Sequence, residues 1–87
     1  MKIKLKLYAS SKILSDNDIL KVELPNHSNI ADLRNVLSKI ISEKKLDHLQ
    51  NLPTTSAFFG EHNEVINDKY KLKDEDIISI IPPIGGG

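Results

Sequence analysis

Asp74-Glu75-Asp76-Ile77-Ile78-Ser79-Ile80-Ile81-Pro82-Pro83 is the stretch that decides the fold. The β-branched run from Ile77 to Ile81 is apolar on both faces, which suits a strand at the middle of a sheet with a helix laid over it. The acidic triplet ahead of the run reads as a turn. Pro82-Pro83 ends it, because proline offers no N–H to a ladder and fixes φ near about −65°. A central strand needs a neighbour on each edge, and the rest of the chain supplies them.

The opening segment, Lys2-Ile3-Lys4-Leu5-Lys6-Leu7-Tyr8, sends Ile3, Leu5 and Leu7 to one face and the lysines and Tyr8 to the other. This is the period of a half-buried strand. Ser10 to Asp18 is polar and rich in turn formers, and Ile19 to Leu24 alternates again up to Pro25, so the two strands predict a hairpin with a long turn. Asn29 is placed as an N-cap for a helix over roughly 30–44, with Ile30, Leu33, Val36, Leu37, Ile40 and Ile41 on one side and Lys44-Lys45 at the negative end of the dipole. Leu46, Leu49 and Leu52 read as a connector packed on the core and closed by Pro53. Thr55 to Phe59 has strand composition, Gly60 to Asn63 is a turn, Glu64 to Ile66 is a short strand, and Asn67-Asp68 turns the chain again. The order β-β-α-β-β-β gives an α+β domain, one main helix over a mixed sheet, in which the first and last strands can run parallel at the centre.

A chain of 87 residues holds one small core and has little room for a deep cleft. Twelve basic and twelve acidic residues cancel, so no global field draws it to nucleic acid or to a membrane. With no cysteine, thiol catalysis and thiolate metal sites are excluded. The opening lysines lack the apolar run of a signal peptide, from which a cytoplasmic location is expected, and Asn26-His27-Ser28 is set aside as a chance glycosylation match.

His27, His48 and His62 lack the spacing of a metal pair, and no Gly-x-Ser-x-Gly elbow or phosphate-cradling glycine loop occurs. They read as surface histidines. Lys2, Lys4 and Lys6 read as the solvated face of their strand. Tyr8 continues that face, where an aromatic ring gains nothing from the core. If the outer strands are neighbours, Tyr8 and Ile81 form an exposed apolar patch at the base of the tail, unless a loop covers both. The tail itself is the unusual feature. Pro82 and Pro83 make a stiff spacer, Ile84 to Gly87 then reach about 13 to 14 Å further, and Gly85-Gly86-Gly87 can thread a narrow channel in another protein.

The run from Lys71 through Ile81 into Pro82-Pro83-Ile84-Gly85-Gly86-Gly87, with an opening strand that finishes in Tyr8-Ala9, resembles the small subunit of molybdopterin synthase within the ubiquitin-like sulfur carriers. The resemblance covers essentially the whole chain. It implies a ubiquitin-like β-grasp domain over residues 1–83 and a flexible reactive tail over 84–87. It also implies a protein that is no enzyme on its own and binds no cofactor. An activating enzyme of the ubiquitin-activating type would spend ATP to adenylate the Gly87 carboxylate, and a persulfide sulfur donor would convert it to a thiocarboxylate. The tail residues Pro82, Pro83, Ile84, Gly85 and Gly86 would then enter the large synthase subunit, in a heterotetramer, where precursor Z takes the sulfur to form the molybdopterin dithiolene. Tyr8 and Ile81 match partner-facing positions of the family, and Lys12 matches a basic one. Glu75 stands where the family usually has glycine and is expected to alter that turn. Ser56 to Gly60 replace the family's Ala-Val-Asn segment, so contacts of that strand do not carry over. A carrier for thiamine, cysteine or tRNA thiolation, a ubiquitin-like protein modifier joined through Gly87, and a plain binding module with an inert tail are the alternatives.

Overall fold

The computed structural model describes residues 1–83, and the readings that fall on Ile84–Gly87 lie outside the described residues. Strand β1 (Lys2–Leu7) alternates exposed and buried side chains without a break, as its sequence predicts. Its apolar face, Ile3, Leu5 and Leu7, is at most 1% exposed. On one side β1 pairs antiparallel with β2 (Ile19–Glu23), Ile3 opposite Val22 and Leu5 opposite Leu20. On its other side it pairs parallel with β5 (Ile77–Ile81), from Lys4 opposite Ile77 to Leu7 opposite Ile80. Strand β3 (Ala57–Phe59) joins β5 antiparallel, and the two-residue β4 (Val65–Ile66) closes the far edge, giving the order β2-β1-β5-β3-β4.

Helix α1 (Ile30–Glu43) covers one face. Asn29 caps it with more than its own side chain: Asn29 Oδ1 accepts from the Asp32 N–H at 2.9 Å, and Asp32 Oδ2 accepts from the Asn29 N–H at 2.9 Å. These two bonds satisfy amides that the first turn leaves without partners. Ile30, Leu33, Leu37 and Ile41 form its buried stripe, and with Ile3, Leu5, Leu7, Phe58, Ile78 and Ile80 they make one continuous core. Each fully buried side chain of this size contributes about 1.5–3 kcal/mol.

The structure corrects the sequence reading in several places. The segment after β1 is not a plain turn, since Ala9–Leu14 winds into a 3-10 helix with Ser11 and Leu14 buried. Pro53 does not close the connector. After a short 3-10 turn at Asp47–Leu49, Pro53 sits inside the first turn of α2 (Leu52–Thr55), where an absent N–H leaves no bond unmade, so Thr55 is helical and β3 starts at Ala57. The β5 run is covered as one helix over one face predicts, with Ile78 and Ile80 buried, Ile77 and Ser79 half-buried, and Ile81 exposed.

Candidate functional site

Because β1 and β5 run parallel, both end at the same edge of the molecule, and the tail leaves from there. Tyr8 keeps an extended backbone (φ −131°, ψ 152°) just past the end of β1, so it retains the outward parity of Lys6. Lys6 lies opposite Ser79, whose parity Ile81 shares. The register therefore puts Tyr8 and Ile81 on the same outer face at the root of the tail, 44% and 39% exposed. The patch read from sequence is open, and no loop among the described residues buries it.

What holds Tyr8 there is Ser11, which is fully buried. Its hydroxyl donates to the Tyr8 carbonyl at 2.6 Å and accepts from the Tyr8 N–H at 2.9 Å. One small side chain thus satisfies both backbone groups of the residue that must stop pairing and turn outward. The turn bends sharply at Ala9, whose φ is 52°. Lys12, one residue further along, is exposed and shares with Tyr8, Lys6 and Ile19 the wall of a hollow of about 210 Å3. Tyr8 and Lys12 are brought together by this winding of the chain. Ile19, 39% exposed on the same face, was not singled out in the sequence. The signal for it was its place in the outward parity of β2.

Pro82 is buried and Pro83 exposed, and both line a second hollow, of about 300 Å3, with Ser10, His48, Leu52 and Thr55. The foot of the tail is thus seated against the α2 segment. That segment is tied down by Arg34 of α1, which the sequence offered only as a polar residue between apolar ones. Its Nη1 donates to the carbonyls of Pro53 (2.7 Å) and Ser56 (2.9 Å), its Nε donates to Asp68 Oδ1 (3.0 Å), and its guanidinium lies 4.8 Å from the centroid of the Phe58 ring. Arg34 clasps three chain segments at once, which a lysine cannot do.

At the opposite end of β5 the chain enters through a network around Asp76. Asp76 Oδ2 accepts from the Lys73 N–H at 2.8 Å and from the Tyr70 hydroxyl at 3.0 Å. Burial, then the hydrogen bond to Asp76 and the charge of that carboxylate, raise the Tyr70 pKa above its ordinary value. Glu75 donates its N–H to the Lys2 carbonyl at 2.7 Å and stands at φ 69°. The turn expected to be altered by Glu75 takes a left-handed backbone there, a conformation that suits glycine. His27, His48 and His62 are exposed, and among the described residues no cluster of three or more His, Asp or Glu side chains is placed to hold a metal ion.

This sheet order, with one helix across one face and the central parallel strand running out into a proline-footed tail, defines a ubiquitin-like β-grasp domain. The chain belongs to the ThiS family, whose profile matches residues 5–87. No curated protein matches it. Among solved structures it resembles a putative molybdopterin converting factor, subunit 1, from Pyrococcus furiosus (20% identity, TM-score 0.66, 95% of this chain and 98% of that one). It also resembles SAMP1 from Haloferax volcanii (15%, TM-score 0.63, all of both chains). A third similar structure is the complex of subunits 1 and 2 of the molybdopterin-converting factor from Helicobacter pylori (20%, TM-score 0.61, all of both chains). At these identities the likeness is one of fold.

Proposed function

We propose that this chain is the sulfur-carrying small subunit of molybdopterin synthase, with Gly87 as the reactive end. The observation that carries the reading is the geometry at the root of the tail. A proline pair leaves the central strand beside an exposed patch of Tyr8 and Ile81, so a partner that grips the patch also holds the root of the tail. The chemistry asks nothing catalytic of this chain. Adenylation turns the Gly87 carboxylate into a good electrophile, with pyrophosphate leaving from ATP. A persulfide then displaces AMP, and a second thiol of the donor cleaves the resulting S–S bond, leaving the thiocarboxylate on Gly87 and a disulfide on the donor. The patch formed by Tyr8 and Ile81, with Lys12 beside it, would bind the activating enzyme and then the large synthase subunit, and precursor Z would accept the sulfur there. Membership in the ThiS family and the likeness to molybdopterin converting factor subunits support this reading.

Intact mass spectrometry tests it. Incubation with ATP, the activating enzyme of the same organism and a sulfur donor should replace one C-terminal oxygen by sulfur, and deleting Gly87 should abolish the change. No change with an enzyme proven active on ATP would overturn the reading. Capture of only a thiazole synthase or a tRNA-thiolating enzyme would move the same carrier chemistry to another pathway. Gly-Gly remnants on cellular lysines would make the chain a protein modifier.

A further inference from the structure

The net charge of zero hides an uneven surface. In the outer face of the sheet, Lys4 of β1 lies directly opposite Lys21 of β2. Directly opposed side chains in an antiparallel pair point the same way with their Cβ atoms about 4.5–5.5 Å apart, and like charges there cost folding stability. Lys6 is the next outward residue of β1, and Lys12 joins it across the wall of the hollow beside Tyr8. A wider hollow, of about 650 Å3, is lined by Lys4 and Lys21.

Two carboxylates stand on this half, Asp18, which borders both hollows, and Glu23, which lies opposite Lys2 and two residues from Lys21, yet the single ion pair among the described residues is Arg34–Asp68 on the other side of the sheet. Four lysines on this half of the face therefore have no ion-pair partner among the described residues. The other half is apolar except for Ser79: beside Lys4 comes the half-buried Ile77, and across β5, β3 and β4 follow Ile81, the half-buried Phe59 and Val65, which is 74% exposed.

A repulsive pair held on a rigid sheet, beside an uncovered apolar strip and hollows that it lines, is the pattern of a surface shaped for binding at the expense of stability. We propose that this outer face docks an acidic protein surface, whose carboxylates seat beside Lys4 and Lys21 and beside Lys6 and Lys12 while its apolar residues cover Ile77, Phe59 and Ile81. Resting on the carrier reading, the partner is the activating enzyme that receives the tail, and the lysines set its rate of encounter and its register. Duplex nucleic acid is disfavoured by the apolar half, which it would leave in water, and anionic lipid is set apart by the vesicle arm of the test below.

The distinguishing variant is Lys21→Glu, because the proposal gives it two effects of opposite sign. It removes the repulsion facing Lys4, so the thermal midpoint of the full chain should rise by about 2–4 °C. It should also weaken binding to the purified activating enzyme of the same organism roughly tenfold, as should Lys6→Glu, whereas Lys39→Glu on α1 and Lys69→Glu in the loop before β5 stay within about twofold of the wild type. Raising NaCl from 0.1 M to 1 M, which shortens the Debye length from about 10 Å to about 3 Å, should weaken the wild type and leave Lys21→Glu nearly unaffected. Binding that is indifferent to Lys21→Glu, Lys6→Glu and salt, with the thiocarboxylate still formed, overturns the acidic-partner proposal and leaves the carrier reading standing. Absence of both binding and thiocarboxylate overturns both. Tighter binding of a DNA duplex or of phosphatidylglycerol vesicles than of the enzyme, lost in Lys21→Glu, also overturns the proposal.

Discussion

Replacing Glu75 by glycine should stabilise the fold. Glu75 sits at φ 69° between two ordered residues, its N–H bonded to the Lys2 carbonyl at 2.7 Å and the Asp76 N–H to the Lys73 carbonyl at 3.0 Å. The turn cannot relax without losing the bonds that dock the start of β5 against β1. A left-handed backbone costs an L-residue about 1–2 kcal/mol, from contact between Cβ and the following carbonyl oxygen. Glycine removes that cost and returns about 0.5–1 kcal/mol through its freer unfolded chain, so the net gain is about 0.5–1 kcal/mol. For a domain of this size the thermal midpoint should rise by about 3–6 °C, and the urea midpoint should rise with an unchanged slope. Two controls isolate the cause. Glu75→Gln relieves charge crowding with Asp74 and Asp76 but not the backbone, and Glu75→Ala keeps the Cβ; each should fall clearly short of the glycine variant. A glycine variant no more stable than the wild type, or a glutamine variant that matches it, would refute the assignment of strain to this residue.

Arg34→Ala should cost about 2–3 kcal/mol in urea unfolding, because it strips charge-assisted bonds from the carbonyls of Pro53 and Ser56, and Arg34→Lys should recover less than half of that. Tyr70→Phe should cost about 1 kcal/mol at neutral pH by removing the bond to Asp76. The folded pKa of Tyr70 lies above the unfolded value of 10.0, so its contribution is complete below that pH and is lost as pH rises through the folded value; the alkaline fall in stability should be shallower in the phenylalanine variant. Ser11→Ala should destabilise by about 1 kcal/mol, since the Tyr8 N–H loses its partner while the Tyr8 carbonyl keeps the Ser11 N–H at 3.1 Å. Tyr8→Ala and Ile81→Ala, which each remove a side chain more than half covered, should cost about 1 kcal/mol in urea unfolding while weakening capture of the synthase large subunit about tenfold, measured by titration calorimetry on the folded variants.

Much of this was legible in the chain because it depends on short-range periodicity. Alternation in Lys2–Leu7 and in Ile19–Glu23, and the spacing of Ile30, Leu33, Leu37 and Ile41, are each set within a few residues, and the structure realises them as two strands and a helix. The parallel pairing of β1 with β5 followed from the order of elements and from a run apolar enough to be central. Tyr8 stood out as an aromatic of the wrong parity. The stop of β5 at Pro82-Pro83 was likewise read from local backbone chemistry.

What the sequence could not determine are the relations between residues far apart along it. That the segment around Pro53 is tied to α1 depends on Arg34, whose guanidinium reaches the carbonyls of Pro53 and Ser56 from far along the chain. That Lys4 opposes Lys21 depends on the register of the hairpin, since a shift of one residue would send each side chain to the other face. That Tyr8 and Ile81 meet in one open patch depends on β1 and β5 being parallel neighbours with no loop of the described residues laid over them. Periodicity is a property of each segment alone and survives in the sequence, whereas register, layer placement and the reach of a long side chain arise only when the segments pack.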